Sequence, residues 1–265
     1  MIVDLIPVVL ALGSVSVAIY TDLKDRIIPN KLTYPLIVLG IVFYLVRGIY
    51  RSDFYFALFG VVGAALGFGI GYAMYLMGGW AGGDVKLFAA LGALLPTAPT
   101  IDGFPLFTAP WVSFYPFFPV TLFFNSVILA APALLIYAVL SRLRGGGAFY
   151  EEVKLSEIEE GMIPAEIIYE KDGEIERRSP GPLGFLTERL GNPDWDRKLT
   201  SPWKAAGFSP HDVEVLRELV RKGKLENRIR IKKGVPFAPA IGAGVFAAII
   251  YGGLYWRIML AVISA

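Results

Sequence analysis

The sequence predicts an all-α polytopic membrane protein of about six transmembrane helices, with a small α+β cytoplasmic domain inserted before the last helix. Two observations lead to this prediction. The 265 residues are 55% hydrophobic and 18% charged, whereas soluble domains typically carry about 25% charged residues. The charges are also unevenly placed, because residues 142–233 hold 18 of the 25 Lys and Arg and 17 of the 23 Asp and Glu.

Six apolar segments are candidate membrane helices, since about 20 apolar residues cross a hydrocarbon core of about 30 Å. They are residues 2–20, 32–50, 54–77, 85–95, 111–140 and 237–263. The fourth segment is short. The fifth contains three prolines and is expected to begin as an irregular interfacial segment, and the sixth is interrupted only by Arg257. The first segment lacks the basic start and the cleavage site of a secretory signal, which favours a permanent helix.

Basic residues in the loops predict the orientation, because cytoplasmic loops are enriched in Lys and Arg. The first loop contains Lys24, Arg26 and Lys31, and the charged insert contains 18 basic residues, whereas residues 96–110 contain no Lys or Arg. The first loop and the insert are therefore expected in the cytoplasm, with both termini outside. Two arginines in the second loop disagree with this orientation. The protein is expected in the cell membrane as a multi-pass chain.

The predicted domains are a membrane domain over residues 1–140, a cytoplasmic soluble domain over 141–234, and a final helix over 235–265 that completes the membrane domain. A glycine triplet at 145–147 is typical of a flexible connection. Inside the insert, the sequence predicts a β-hairpin over residues 163–178, with its turn at Lys171-Asp172-Gly173. It also predicts a helix that begins after Ser209 and ends near Gly223, because Ser is a good N-cap and Pro suits the first turn.

Composition excludes several chemistries. The chain has no cysteine and a single histidine, His211. A Cys nucleophile, a Cys-ligated zinc and a disulfide are therefore impossible, and a helical HExxH zinc site would need a second histidine. No cofactor or metal is predicted. The basic residues of the insert are matched by acidic ones, which gives no reason to expect a nucleic acid partner.

Outside the insert, all acidic residues are aspartates. An ionised Asp near the bilayer centre costs about 2.5–3.5 kcal/mol, so such residues usually face a polar interior. The three aspartates placed in predicted termini or loops are interpreted as solvated: Asp4, Asp53 and Asp102. Asp22 and Asp84 differ, because they lie at the predicted cytoplasmic ends of the first and fourth spans.

Two carboxylates on facing helices suggest a particular chemistry. When they share one proton, one carboxylate can act as base toward a water while the other acts as acid toward a peptide. This chemistry needs no metal, Cys or His. Two alternatives remain open on the residues alone: Asp84 can serve only as an N-cap of its helix, and Asp25 can replace Asp22 because it lies three residues further along a helix face.

Three segments resemble motifs of the type IV prepilin peptidases and the archaeal preflagellin peptidases. The run from Asp22, with Ile-Pro-Asn-Lys-Leu-Thr after Arg26 and Ile27, resembles the first catalytic motif of these enzymes. Gly83-Asp84-Val85-Lys86-Leu87 resembles their GxGD motif, and Pro236-Phe237-Ala238-Pro239 resembles the start of their closing helix. The resemblance implies that Asp22 and Asp84 are the catalytic pair, with Gly82, Gly83 and Lys86 supporting the second motif.

This resemblance has two departures. Ala81 stands where the GxGD motif has its first glycine, and the chain has neither the cysteines nor the zinc domain of the bacterial enzymes. The sequence is therefore more similar to the archaeal branch, which lacks the methyltransferase activity. The implied function is a membrane aspartyl endopeptidase that removes short basic leaders from pilin-like or preflagellin precursors. The implied partners are the lipid bilayer and a precursor with a basic leader and a hydrophobic helix.

Two other functions are alternatives. The first is an intramembrane protease of the presenilin or signal-peptide-peptidase kind, which places its aspartates deeper in longer apolar runs. The second is a transporter whose Asp22 and Asp84 bind a proton or a cation. Three glycines spaced by four residues in the third span, at positions 63, 67 and 71, are interpreted as helix-packing contacts rather than as part of a pore. The insert is hypothesised to help hold the basic leader, or to be a solvated domain with a structural role alone.

Overall fold

The computed structural model describes residues 3–77, 79–99, 101, 103–107, 117–143, 149–180, 195–204 and 206–264. Contacts divide the chain into two compact units. One unit comprises Met1–Tyr75, Trp80–Leu135 and Pro236–Ala265, and the other comprises Leu76–Gly79 and Ile136–Val235. The domain boundaries at 140 and 234 stay a prediction. The triplet at 145–147, Asp102 and residues 111–116 lie outside the described residues.

The first unit is helical. Its helices are α1 (Ile6–Asp25), α2 (Asn30–Arg51), α3 (Phe54–Leu76), α4 (Gly82–Leu94), α5 (Phe118–Leu143), α7 (Ala238–Ile250) and α8 (Leu254–Ile263), of which α3 and α5 continue into the second unit. Within the part of the chain that the structure describes, four helices are long and apolar enough to cross a membrane: Val3–Asp25, Asn30–Arg51, Phe54–Leu76 and Phe118–Ile136. The protein is therefore a membrane protein. The count of six spans stays a prediction.

The turn between α1 and α2 is local in origin. α1 continues to Asp25, five residues beyond the predicted end of the first span, and stops where Arg26 takes the left-handed conformation with φ 56°. The Arg26 N–H then donates to the Asp22 carbonyl oxygen over 3.1 Å. Pro29 follows as the N-cap of α2, with an extended backbone that a helix interior would not accept. This short turn brings Asp22 and the start of α2 close together in space.

Helix α3 buries its small residues and exposes its large ones. Its buried residues are all Gly or Ala, whereas Phe68 is 51% exposed and Val61 is 46% exposed. This arrangement is typical of a helix in lipid, where large apolar side chains face the hydrocarbon and small residues let helices approach. A Cβ at Gly67 would lie 2.5 Å from the Phe88 carbonyl oxygen, and one at Gly63 would collide with the Gly92 carbonyl oxygen. The interpretation of the spaced glycines as packing contacts is confirmed.

Helix α4 lies at the centre of the helical unit. Ten of its 13 residues are buried, including Leu87, Phe88 and Leu91. Its length of about 20 Å, at 1.5 Å per residue, is less than the hydrocarbon thickness of about 30 Å. Helix α3 packs against it through Gly63 and Gly67. Helix α2 packs against it through Gly40, where a Cβ would lie 2.7 Å from the Ala93 carbonyl carbon. The short fourth apolar segment is thus an enclosed helix.

The last apolar segment differs from the single span predicted over 237–263. α7 ends at Ile250 and α8 begins at Leu254, so the interruption lies at residues 251–253 rather than at Arg257. Asn125 of α5 is fully buried and satisfies the backbone groups at this break. Its Nδ2 donates to the Gly252 carbonyl oxygen over 2.7 Å, and its Oδ1 accepts from the Leu254 N–H over 3.0 Å. A buried amide thus stabilises a break that hydropathy does not reveal.

In its described residues, the second unit contains two small sheets and one α-helix. Strands β1 (Tyr150–Val153) and β5 (Ile229–Lys232) pair antiparallel, and a three-stranded sheet has the order β3 (Glu174–Arg178), β2 (Ile167–Lys171), β4 (Arg197–Lys198). Helix α6 (Pro210–Arg221) packs through the fully buried Leu216 against a core that includes Leu155, Ile158, Ile168 and Ile229. The mixed α and β content of the insert agrees with the prediction.

The predicted hairpin and helix of the insert are confirmed. β2 and β3 pair around Asp172 and Gly173, both with positive φ (50° and 81°), as a two-residue hairpin turn requires. Ser209 caps α6, since its Oγ accepts from the Asp212 N–H over 3.2 Å, and the helix stops before Gly223, whose φ is 69°. His211 is exposed in the first turn of this helix.

Candidate active site

A cavity of about 320 Å³ lies where the α1–α2 turn meets the start of α4. Asp22 and Asp84 both contribute to its wall, so the structure brings the two predicted residues to one cavity. The residues that line it are Asp22, Arg26, Ile27, Ile28, Asn30, Ala81, Gly83, Asp84 and Lys86. Two carboxylates and two cationic side chains therefore surround the same space.

Asp22 lies in the last turn of α1 and is 7% exposed. Its carboxylate Oδ2 accepts a hydrogen bond from the backbone N–H of Ala238 over 3.0 Å. Ala238 is the first residue of α7 and is fully buried. The donor is therefore the N-terminus of a helix that is separated from Asp22 by 216 positions in the sequence.

Asp84 occupies the third position of α4 and is 5% exposed. Its Oδ2 accepts from the backbone N–H of Ala81, the N-cap residue, over 2.9 Å. The alternative in which Asp84 is itself the N-cap is wrong, although its side chain does satisfy a backbone donor at the helix start. That single bond uses one of its two carboxylate oxygens, and the residue also lines the cavity.

The alanine that replaces the first glycine of the GxGD motif fits its position. Ala81 has φ −87° and ψ 165°, an extended conformation that any residue adopts. It is exposed, and its N–H is the donor to Asp84. No property peculiar to glycine is needed here, so the departure leaves the geometry of the motif intact.

The two following glycines have different surroundings. A Cβ at Gly83 would lie 3.1 Å from the Cβ of Ile28, whereas a Cβ at Gly82 would meet nothing within 4 Å. Ile28 belongs to the α1–α2 turn and is 7% exposed. Gly83 thus permits the close approach of the two segments that line the cavity. At Gly82 there is room for a side chain.

Lys86 joins the same two segments. Its Nζ donates to the Asn30 side-chain oxygen over 2.8 Å and lies 5.5 Å from the centre of the Tyr34 ring. Asn30 is the first residue of α2 and follows Pro29 in the first motif. The Asn of one motif and the Lys of the other are therefore in direct contact at the wall of the cavity.

Asp25, Asp4 and Asp53 do not line the cavity. Asp25 ends α1 and is exposed, in contrast to Asp22. Asp4 accepts from Arg47 over 2.7 Å and lies 3.5 Å from Arg51, so it is ion-paired rather than simply solvated. Asp53 accepts from the Phe56 N–H at the start of α3.

The sequence did not predict that Ala238 donates to Asp22, or that Asn30 and Arg26 line the cavity. Ala238 lies inside the Pro-Phe-x-Pro segment and Asn30 inside the first motif, so the motifs contained a signal, but nothing in either pattern indicated the contact it makes. Among the described residues, no group of three or more His, Asp and Glu side chains is arranged to hold a metal ion.

The fold and the cavity together define a multi-helix membrane protein in which two buried aspartates, Asp22 and Asp84, line one cavity. The chain matches the sequence model of the type IV leader peptidase family, peptidase A24, over residues 9–139. It also matches the archaeal peptidase A24 C-terminal domain over residues 125–231. The chain belongs to this family of leader peptidases.

Individual relatives agree with the family. The prepilin peptidase EppA of Methanothermobacter thermautotrophicus is 26% identical over 96% of each chain. The preflagellin peptidase of Methanococcus voltae is 31% identical over 49% of this chain and 55% of its own, and that of Methanocaldococcus jannaschii is 28% identical over 51% and 57%. The relatives are archaeal, as the resemblance implied, and the protein is a protease by family.

Proposed function

We propose that this protein is a membrane aspartyl endopeptidase that removes short basic leader peptides from prepilin or preflagellin precursors at the cytoplasmic membrane boundary. The observation that carries the proposal is the shared cavity. The buried carboxylates of Asp22 and Asp84 line it from two different helices, and each has one oxygen in a backbone hydrogen bond. Carboxylates held in this way keep a defined orientation toward a substrate.

In the proposed reaction, the two aspartates share one proton and a water molecule adds to the scissile carbonyl carbon. One carboxylate takes a proton from the water while the protonated partner gives its proton to the carbonyl oxygen. In the second step the former base gives its proton to the amide nitrogen and the C–N bond breaks. A hydroxyl of the intermediate returns a proton to the other carboxylate, so the pair regains its single proton.

The position of the aspartates supports cleavage at a membrane boundary. Asp22 lies within the last turn of a long apolar helix, and the charged residues Lys24, Asp25 and Arg26 follow after Leu23, whereas Asp84 lies in the first turn of α4. A substrate with a basic leader outside the bilayer and a hydrophobic helix within it would present its junction at this depth. The names of the relatives, prepilin and preflagellin peptidases, support the substrate class.

The second unit is proposed to be a cytoplasmic soluble domain and to contribute to leader binding. Lys232 is held within the unit and is a poor probe of this role: its Nζ donates to the Pro202 carbonyl oxygen over 2.8 Å and lies 5.1 Å from the centre of the Trp203 ring. Burial lowers the pKa of Lys232. Arg221 at the end of α6 and Lys224 just after it are exposed and are better probes. A charge reversal there that left KM unchanged would indicate a purely structural domain.

The proposal is tested with purified protein in lipid and synthetic precursors of both kinds, scored by mass. We expect loss of an intact leader by wild type and an uncleaved precursor with Asp84→Asn, which preserves size and polarity. A cut within the hydrophobic helix would instead indicate a protease of the presenilin kind. A folded wild-type protein that cleaves neither precursor, and that moves protons or cations across vesicles, would indicate the transporter alternative.

A further inference from the structure

Asp22 occupies an electrostatically unfavourable end of its own helix. It lies in the last turn of α1, where the helix macrodipole places partial negative charge. Its side chain is 7% exposed, so water gives it little compensation. A buried anion in this position requires donors from another part of the chain.

The N-terminus of α7 supplies such a donor. Phe237 is the N-cap of α7, and the N–H of the first helical residue, Ala238, lies 3.0 Å from Asp22 Oδ2. Helix N-termini stabilise negative charge through both the free N–H groups and the macrodipole. The next residue, Pro239, has no N–H, so the Ala238 N–H is the first donor that this helix offers and it is directed to Asp22.

We propose that the N-terminus of α7 is a positioning element of the active site: the Ala238 N–H holds Asp22 Oδ2 and favours the ionised carboxylate, while the other oxygen remains available to the cavity. This inference rests on the proposed function. The other charged groups around the cavity are Asp84 and Lys86 of α4 and Arg26 after α1. The N-terminus of α7 contributes a dipole without a titratable group.

Replacing one amide by an ester tests this proposal with little change in shape. Ala238→lactic acid removes the donor to Asp22. The matched control is the corresponding α-hydroxy acid at Ile241, whose N–H donates to the Phe237 carbonyl oxygen over 3.0 Å within the same helix. Both positions are fully buried, and each ester removes one N–H from α7. Only the first touches Asp22.

We expect the ester at Ala238 to lower kcat about tenfold or more, the usual effect of losing one hydrogen bond to a charged group, with KM little changed. The acidic limb of the pH–rate profile should move to higher pH, because the lost bond favoured the ionised form. The ester at Ile241 should leave both limbs in place. If the two esters gave the same kcat and the same pH limbs, the positioning role would be refuted.

A second readout separates this inference from the proposed function. The thermal stability of both esters is measured in lipid between pH 4 and pH 8, a range that begins near the pKa of an ordinary Asp side chain in water, about 3.9. The stability difference between the two esters should shrink at low pH, because a hydrogen bond to a protonated acid is weaker than one to a carboxylate. A pH-independent difference would refute the inference even in a protein without protease activity. Wild-type protein that fails to cleave precursor refutes the proposed function alone.

Discussion

Lys86 of α4 donates a hydrogen bond to the side-chain oxygen of Asn30 at the start of α2, over 2.8 Å. The two residues are 56 positions apart and belong to different motifs, yet both line the cavity that contains Asp22 and Asp84. The bond therefore connects the segment that carries one aspartate to the segment that carries the other. It is expected to preserve the separation of the two carboxylates.

This contact predicts a coupling between Asn30 and Lys86. Asn30→Ala and Lys86→Met should each lower kcat several-fold, and the double variant should be little worse than either single one, because both remove the same bond. Lys31→Met, at an exposed neighbouring position, is the control and should retain activity. The measurement is precursor cleavage in lipid. Fully additive losses would show that the two side chains act independently.

The two aspartates are expected to act as one unit. Asp22→Asn and Asp84→Asn should each lower kcat by a factor on the order of a thousand or more, since removing either carboxylate removes the base together with its acid partner. The double variant should be no worse than either single variant. Asp25→Asn should keep most of the activity, because Asp25 is exposed and does not line the cavity. Wild-type rates from a folded Asp84→Asn protein would contradict the proposed mechanism.

A shared proton also predicts the dependence of the rate on pH. The pair is active with one proton, so kcat/KM should fall at low pH, where both carboxylates are protonated, and at high pH, where neither is. The bell-shaped profile belongs to the pair rather than to either residue. It is measured with a precursor whose own charge is constant over the range. A rate that rises to a plateau without a second limb would argue against a shared proton.

The packing of α3 against α4 predicts different effects of two glycine substitutions. Gly63→Ala should destabilise the protein by about 1–3 kcal/mol, the typical effect of overpacking, because its Cβ would collide with the Gly92 carbonyl oxygen. Gly69→Ala in the same helix should be neutral or slightly stabilising, since its Cβ would meet nothing within 4 Å. Thermal unfolding of the purified variants measures both. Equal effects would mean that α3 and α4 are not in this contact.

The proposed topology predicts opposite labelling of two introduced cysteines. Ser156 lies in the second unit, and Thr100 lies in the segment without Lys or Arg. Because the chain has no native cysteine, Ser156→Cys and Thr100→Cys can each be labelled without background by an impermeant reagent in intact cells. Thr100→Cys should react and Ser156→Cys should react only after lysis. Labelling of both from the same side would contradict the proposed orientation, in which the second unit is cytoplasmic.

Several features could be predicted from local pattern alone. The helices α1, α2 and α3 follow from apolar runs, and the hairpin at Asp172 and Gly173 follows from turn chemistry. The single span predicted over 237–263 is two helices in the structure, because the break at 251–253 depends on the buried amide of Asn125. A hydropathy pattern averages over such a break and contains no information on what lies beside it.

Composition and motifs were sufficient to predict that this protein crosses a membrane, that its charge is concentrated in one insert, and that Asp22 and Asp84 are the candidate catalytic carboxylates. Composition and short motifs are local properties, and they can be read without knowing which helices touch. The tertiary structure alone decided that Ala238 donates to Asp22, that Gly83 approaches Ile28 and that Lys86 bonds Asn30. These contacts join residues 55 to 216 positions apart in the chain, and the packing of the helices determines which distant backbone group meets a given carboxylate.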